Sequence, residues 1–213
     1  MSLLGKARQL AKVSKAGARW EKPASIDEFR ALIGFTPRQH QLEILANVSR
    51  FAVYVCHRRF GKTVLLVNYL IERAYFCPFD LGEYAYAAPT YKQAERIAWK
   101  YLEAACKKIP GATFKKSDLE VTIPTYRGST STIRLIGLDN PKQNLRGAYL
   151  DGMVFDETAG IPKSQWTQVV RPMLADNNRR GCDMHDRVNQ WAAFIGTVCG
   201  RDWFWQLYED AKL

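Results

Sequence analysis

Short apolar runs rich in β-formers alternate along this chain with longer segments whose apolar residues recur every three or four positions. Runs at 51–56, 83–88, 152–155 and 191–195 read as strands, and 119–123 with 132–136 reads as a hairpin around Tyr126-Arg127-Gly128-Ser129. Helices are predicted over about 38–47, from Gly61-Lys62-Thr63 to 76, and over about 91–108, 163–174 and 202–211. Ser25-Ile26-Asp27-Glu28 looks like a capped helix start, and Thr36-Pro37 like a cap followed by proline at the first helical position. Pro172 falls in the last turn of the 163–174 helix. The polar stretch 176–187, basic at Arg179-Arg180, reads as a mobile loop, and no internal repeat is present. Strands alternating with helices imply a doubly wound, mostly parallel α/β sheet carrying a β-hairpin insertion. In such sheets ligands bind beyond the carboxyl ends of the strands, where Lys62, Asp156 and Thr197 should lie.

Composition adds a partner class. With 213 residues and 47% hydrophobic content, the chain can bury a substantial core as one domain. The formal charge of +10 implies a polyanionic partner, with nucleic acid as the first candidate. Lys6, Arg8, Lys12, Lys15 and Arg19 all precede the first acid, Glu21. Residues 1–34 therefore read as a basic arm and helix, and 35–213 as the main domain. The arm has the acid-poor character of a transit peptide but lacks the apolar stretch of a secretory signal. No apolar run reaches the roughly 18 residues of a membrane span, so a soluble protein is expected. Five scattered cysteines without a C-x-x-C pair point to a reducing cytoplasm rather than a disulfide framework. Cys182 and His185 have metal-like spacing, but no second pair completes a zinc site.

Candidate chemistry centres on Cys56-His57-Arg58-Arg59-Phe60-Gly61-Lys62-Thr63. A strand, a short loop and a helix opened by Gly-Lys-Thr form the context of a phosphate-binding P-loop. Backbone N–H groups of the loop and the positive end of the helix dipole favour anions there. Lys62 would add a mobile positive charge, and the Thr63 hydroxyl would ligate Mg²⁺. Cys56 stands where the first glycine of the motif is usual, so the loop must close without that residue. The alternative is an ordinary helix start with a glycine before it.

An apolar strand ending in Asp156-Glu157 is the expected partner of such a loop. Asp156 would hold Mg²⁺ directly or through water, and Glu157 would orient or deprotonate the attacking water. The 83–88 run and the hairpin separate the two motifs along the chain. That spacing suits an ATPase with an extra strand between its P-loop and Asp-Glu strands. Arg58 and Arg59 either fork onto the γ-phosphate or sense its loss, with Arg59 the one expected to face solvent or a carboxylate. Arg146 lies on a polar loop, where it is either solvated or, at an oligomer interface, an arginine finger.

With these elements in order, the chain from about residue 35 onward resembles the N-terminal ATPase domain of the large terminase subunit of tailed bacteriophages, a DNA-packaging motor. Pro37-Arg38-Gln39-His40-Gln41 is similar to that family's adenine-reading motif. Further matches are Ala88-Pro89-Thr90 with Gln93 and Trp99, Leu145-Arg146-Gly147 before Val154-Phe155-Asp156-Glu157, and Gly196-Thr197-Val198-Cys199-Gly200 as a coupling motif. The resemblance implies that Gln41 contacts adenine, Arg58 senses the γ-phosphate, and loop residues Arg59, Phe60 and Gly61 line the nucleotide with Lys62 and Thr63. Asp156 would be the metal ligand, Glu157 the catalytic base, Arg146 a finger reaching a neighbouring subunit, and Thr197 the link between hydrolysis and movement. It also implies ATP and Mg²⁺ as cofactors and double-stranded DNA as the translocated partner. A homo-oligomeric ring, pentameric by resemblance, a portal and a small terminase subunit complete the expected assembly, in the host bacterial cytoplasm. Val198 departs from the family's proline. The resemblance implies a C-terminal nuclease that these 213 residues are not expected to include, as either an isolated ATPase domain or a shortened protein, so DNA cleavage is not expected of this chain. Two alternatives stay open: a helicase- or repair-type nucleic-acid ATPase, and a basic DNA-binding module with a degenerate P-loop.

Overall fold

The computed structural model describes residues 21–47, 49–139, 149–198 and 200–212. Its strands are β1 (Phe51–Val55), β2 (Gly82–Ala88), β3 (Thr113–Lys115), β4 (Glu120–Pro124), β5 (Thr130–Gly137), β6 (Gly152–Phe155) and β7 (Trp191–Gly196). They form one sheet in the order β1-β7-β6-β2-β5-β4-β3. Pairing is parallel from β1 to β5 and antiparallel through β4 and β3. The expected α/β architecture is therefore present, and the hairpin extends the sheet at its edge. One strand does separate the P-loop strand from the Asp-Glu strand. It is β7, the last strand of the chain, whereas β2 lies on the far side of β6.

Helices cover both faces. On one face lie α1 (Ile26–Ile33), α2 (Gln39–Ala46) and α3 (Lys62–Tyr75), followed by α4 (Tyr91–Ala94), a π-helical turn (Glu95–Trp99) and α5 (Lys100–Cys106). On the other, a π-helical stretch (Gln165–Val170) runs into α6 (Arg171–Met173), and α7 (Trp203–Asp210) follows β7. Every residue of α3 from Leu65 to Tyr75 is buried, which makes it the central helix of the first layer. Strand periodicity explains the division: Tyr84, Tyr86 and Val154 face α3, while Ala85, Ala87, Met153 and Phe155 face the second layer. α1 joins the first layer through Phe29, which stacks on Tyr75 at 4.2 Å.

Three local expectations change. α2 starts at Gln39 with Arg38 as its N-cap, not with Thr36 as cap, because the Gln41 side chain accepts from the Arg38 amide at 2.9 Å. The helix over 163–173 does carry Pro172 in its last turn, but Gln165–Val170 are π-helical rather than α-helical and give way to α6 at Arg171. The 176–187 segment is anchored rather than mobile. Arg179 makes a two-pronged pair with the buried Asp151 at 2.8 and 2.6 Å. Arg187 joins Asp183 at 2.8 Å and the buried Glu72 of α3. Glu72 also receives Arg30 of α1 at 2.7 Å, so the segment, α1 and α3 share one buried ionic network. The polarity of Arg179, Asp183 and Arg187 thus records ion pairing, while Asn177, Asn178, Arg180 and Asp186 stay exposed. Among the described residues no helix is long and apolar enough to cross a membrane.

Candidate nucleotide site

Residues 56–61 turn the chain from the end of β1 into α3. Cys56 is buried, donates its amide to the Gly196 carbonyl at 3.0 Å and has no left-handed backbone. The position therefore does not require glycine. The turn is made instead by Arg59, at φ 67°, and Gly61, at φ 87°. A Cβ at Gly61 would also stand 2.9 Å from Gln41 Nε2. Burial pushes the Cys56 thiol up, against the opposing charge of Lys62.

α2 grips this loop at two points. His40 lies 3.4 Å from the Phe60 carbonyl, with its ring 4.5 Å from that of Phe60. Gln41 is buried and donates to the Gly61 carbonyl at 3.4 Å while its oxygen caps α2. Both ends of the Gln41 amide are thus engaged within the chain. Arg58 and Arg59 are exposed at the loop surface.

Across the sheet, Lys62 Nζ lies 3.1 Å from Thr197 Oγ1, 3.4 Å from the Cys56 carbonyl and 3.7 Å from Glu157 Oε1. Thr63 Oγ1 lies 3.4 Å from Asp156 Oδ2, which also accepts from the buried Tyr86 hydroxyl. Asp156 Oδ1 accepts the Glu157 amide at 2.9 Å. Burial raises the Asp156 carboxyl above its usual range; the Tyr86 bond and the Lys62 charge oppose this, and the Glu157 charge adds to it.

Glu157 is left-handed at φ 49° and ψ 48°, a costly conformation for a side-chain-bearing residue. The Thr158 hydroxyl supports the bend from 3.0 and 3.1 Å of the Phe155 and Ile195 carbonyls. This turn carries the Glu157 carboxylate out of the sheet to a half-exposed position, while Asp156 stays buried. Two adjacent carboxylates thereby occupy different environments.

A cleft of about 710 Å³ opens beside the pair, lined by Arg58, Gln93, Glu157, Thr197 and Asp202 among others. Among the described residues no three His, Cys, Asp or Glu side chains cluster as a metal cage. Thr63 and Asp156 instead supply two hard oxygen donors side by side. That suits Mg²⁺, which keeps several waters and takes remaining ligands from phosphates.

Lys62, Thr63, Asp156, Glu157 and Thr197 are thus brought together, with Arg58 at the cleft rim. Arg146 lies outside the described residues, as do Leu145, Gly147 and Cys199. Two participants were not singled out from sequence: Tyr86 and Asp202. Period-two alternation back from Ala88 places Tyr86 on the α3 face, but nothing in a single chain announces its partner. Asp202 reads as the N-cap of α7, which it is, through the Trp205 amide at 2.9 Å.

A parallel sheet, a loop turning into a buried helix through left-handed Gly61, and an Asp-Glu pair two strands away define a P-loop nucleotide-binding domain. No protein-family model matches the chain. It is 28% identical over 197 residues to the large terminase subunit of Thermus virus P23-45, covering 85% of this chain and 38% of that protein. The large terminase ATPase domain of Thermus phage P74-26 shares its fold at a TM-score of 0.70 and 25% identity, over 88% of this chain and 75% of that one. The HK97 bacteriophage large terminase, at 11% identity and a TM-score of 0.54, matches 97% of this chain and shows the fold alone. The resemblance to large terminase ATPase domains is therefore present in sequence and in fold alike, although the chain spans only 38% of its curated relative's length.

Proposed function

We propose that residues 35–213 are the ATP-hydrolysing motor domain of a phage DNA-packaging terminase, with ATP and Mg²⁺ as cofactors. The observation that carries this reading is the meeting of Lys62, Thr63, Asp156, Glu157 and Thr197 at the carboxyl ends of three adjacent strands. The Thermus phage domain of the same fold is itself an ATPase domain, which supports the assignment.

Each residue has a chemical task. Lys62, with the N-terminal amides of α3, neutralises phosphate charge. Thr63 and Asp156 would hold Mg²⁺, which when bound offsets the charge on the phosphates. Glu157 accepts the proton of the attacking water as that oxygen bonds to the γ-phosphorus and the bond to the bridging oxygen breaks. Its half-exposed position at the cleft, away from the buried Asp156, suits a base that must reach water. Arg58 at the rim senses the γ-phosphate, Arg59 and Phe60 line the loop, and Gln41 contacts adenine after exchanging a present partner. Thr197 passes the state of the loop to β7.

The motor acts on double-stranded DNA as a homo-oligomeric ring, five-membered by resemblance, with Arg146 completing a neighbour's site. A portal and a small terminase subunit are its partners, in the host cytoplasm. The charge of +10 supports a polyanionic track.

Nucleotide binding and turnover measured separately test the core of this reading. Glu157→Ala should bind ATP and fail to hydrolyse it, whereas Lys62→Ala should lose binding. ATP affinity unchanged in Lys62→Ala would remove the P-loop assignment.

A further inference from the structure

Tyr86 sits in the middle of β2, paired in register with Val154 of β6, so Asp156 is two residues further along the same face. The side chain is fully buried, and a buried phenol needs a hydrogen-bond partner. Its hydroxyl finds one in Asp156 Oδ2, the same oxygen that Thr63 Oγ1 approaches at 3.4 Å. The other oxygen, Oδ1, takes the Glu157 amide at 2.9 Å. The carboxylate is thus fixed from both sides, by β2 and by the backbone of the Asp-Glu turn. A carboxylate free to rotate would leave the Thr63 hydroxyl without a set direction for its proton and lone pairs.

We propose that Tyr86 is a positioning residue for the Mg²⁺ site: it holds the Asp156 carboxylate, which in turn orients the Thr63 hydroxyl. This rests on the P-loop ATPase reading, because it assigns Asp156 and Thr63 to the metal. Partners standing behind a metal ligand characteristically set its affinity without touching the ion. Tyr86 does not touch nucleotide in this scheme, so its influence should be confined to the metal.

The test is Mn²⁺ binding to the ADP complex, followed by electron paramagnetic resonance, with ADP affinity measured without metal and thermal unfolding as controls. Tyr86→Phe should weaken Mn²⁺ binding roughly tenfold while leaving metal-free ADP affinity in place. In Asp156→Ala the same substitution should add little, since the two act as one unit. Tyr86→Met also lacks the hydroxyl and adapts to its surroundings, so it carries the same expectation if the phenylalanine variant does not fold. Wild-type Mn²⁺ affinity in either folded variant would overturn the inference while leaving the ATPase reading intact. Equal Mn²⁺ losses from Tyr86→Phe in the presence and absence of Asp156 would also overturn it. A wild-type ADP complex that takes up no Mn²⁺ would overturn the metal site and the inference together.

Discussion

Thr197 at the end of β7 bonds to both ends of the phosphate loop: its hydroxyl donates to the Cys56 carbonyl at 3.1 Å and meets Lys62 Nζ at 3.1 Å. β7 lies between the P-loop strand and the Asp-Glu strand and leads into α7, so a change at the loop can pass through these hydrogen bonds to β7 and on along the chain. Thr197→Val keeps the shape and removes both bonds. Stability should fall by about 1–2 kcal/mol in urea unfolding, the net worth of one or two hydrogen bonds. ATP affinity should change by less than about tenfold, because Lys62 keeps its charge and its phosphate partner. DNA-stimulated turnover should be lost. Full DNA stimulation in the valine variant would exclude Thr197 as the coupling residue.

The two unusual positions of the loop should respond in opposite ways. Gly61→Ala demands a left-handed alanine and places a methyl against the Gln41 amide. It should cost about 1 kcal/mol or more in stability and abolish nucleotide binding. Cys56→Ala should bind nucleotide almost normally, since the backbone there is ordinary. Isothermal titration with ADP separates the two, and equal losses would mean that the loop closes differently. The raised Cys56 thiol also keeps little thiolate at pH 8, so iodoacetamide should label exposed Cys182 well before it.

How far the sequence carried this picture depended on the range of the interactions involved. All strands but the short edge strand β3, the loop-to-helix turn and the Asp-Glu bend were legible because period-two runs and Gly-Lys-Thr are local signals. Strand order was only partly so: a strand between the two motifs was expected, but its identity as β7 depends on a crossover that no local pattern encodes. That the loop closes without a glycine at Cys56 was legible, but not how it does so: the left-handed turns fall at Arg59 and Gly61. Tyr86 escaped notice because its partner lies 70 residues away. The polar segment 176–187 was misread because burial of charge is invisible until its partners arrive from Asp151 and Glu72.

That segment yields the clearest stability prediction. Asp151 is fully buried, and besides Arg179 it accepts from Asn189 at 2.8 Å and from the Glu83 amide at 2.9 Å. Arg179→Ala would leave a buried carboxylate without its countercharge, costing roughly 3–5 kcal/mol in chemical unfolding. The double variant Arg179→Ala with Asp151→Asn should recover part of that loss, because the stranded charge is gone. ADP affinity in the folded fraction should remain, since the cluster lies at the amino ends of β6 and β7, opposite the nucleotide cleft. A loss below 1 kcal/mol would mean that the segment is not clamped as described.

Arg146 poses the question of whether one subunit completes the site of the next. Arg146→Ala should bind ATP normally, because Lys62 and Thr63 are intact, yet hydrolyse it poorly. Glu157→Ala should bind and fail to hydrolyse for a different reason, the loss of its base. If Arg146 reaches a neighbouring cleft, a mixed ring contains junctions at which an intact Glu157 faces an intact Arg146. Mixing the two inactive variants under conditions that assemble rings should then restore part of the wild-type turnover, rising and falling with the mixing ratio. If Arg146 acts within its own subunit, every subunit in the mixture still lacks one of the two groups, and activity stays at the level of the separate variants. A flat response across mixing ratios, in rings verified by sedimentation, would exclude the trans role while leaving the assignments of Lys62, Asp156 and Glu157 untouched.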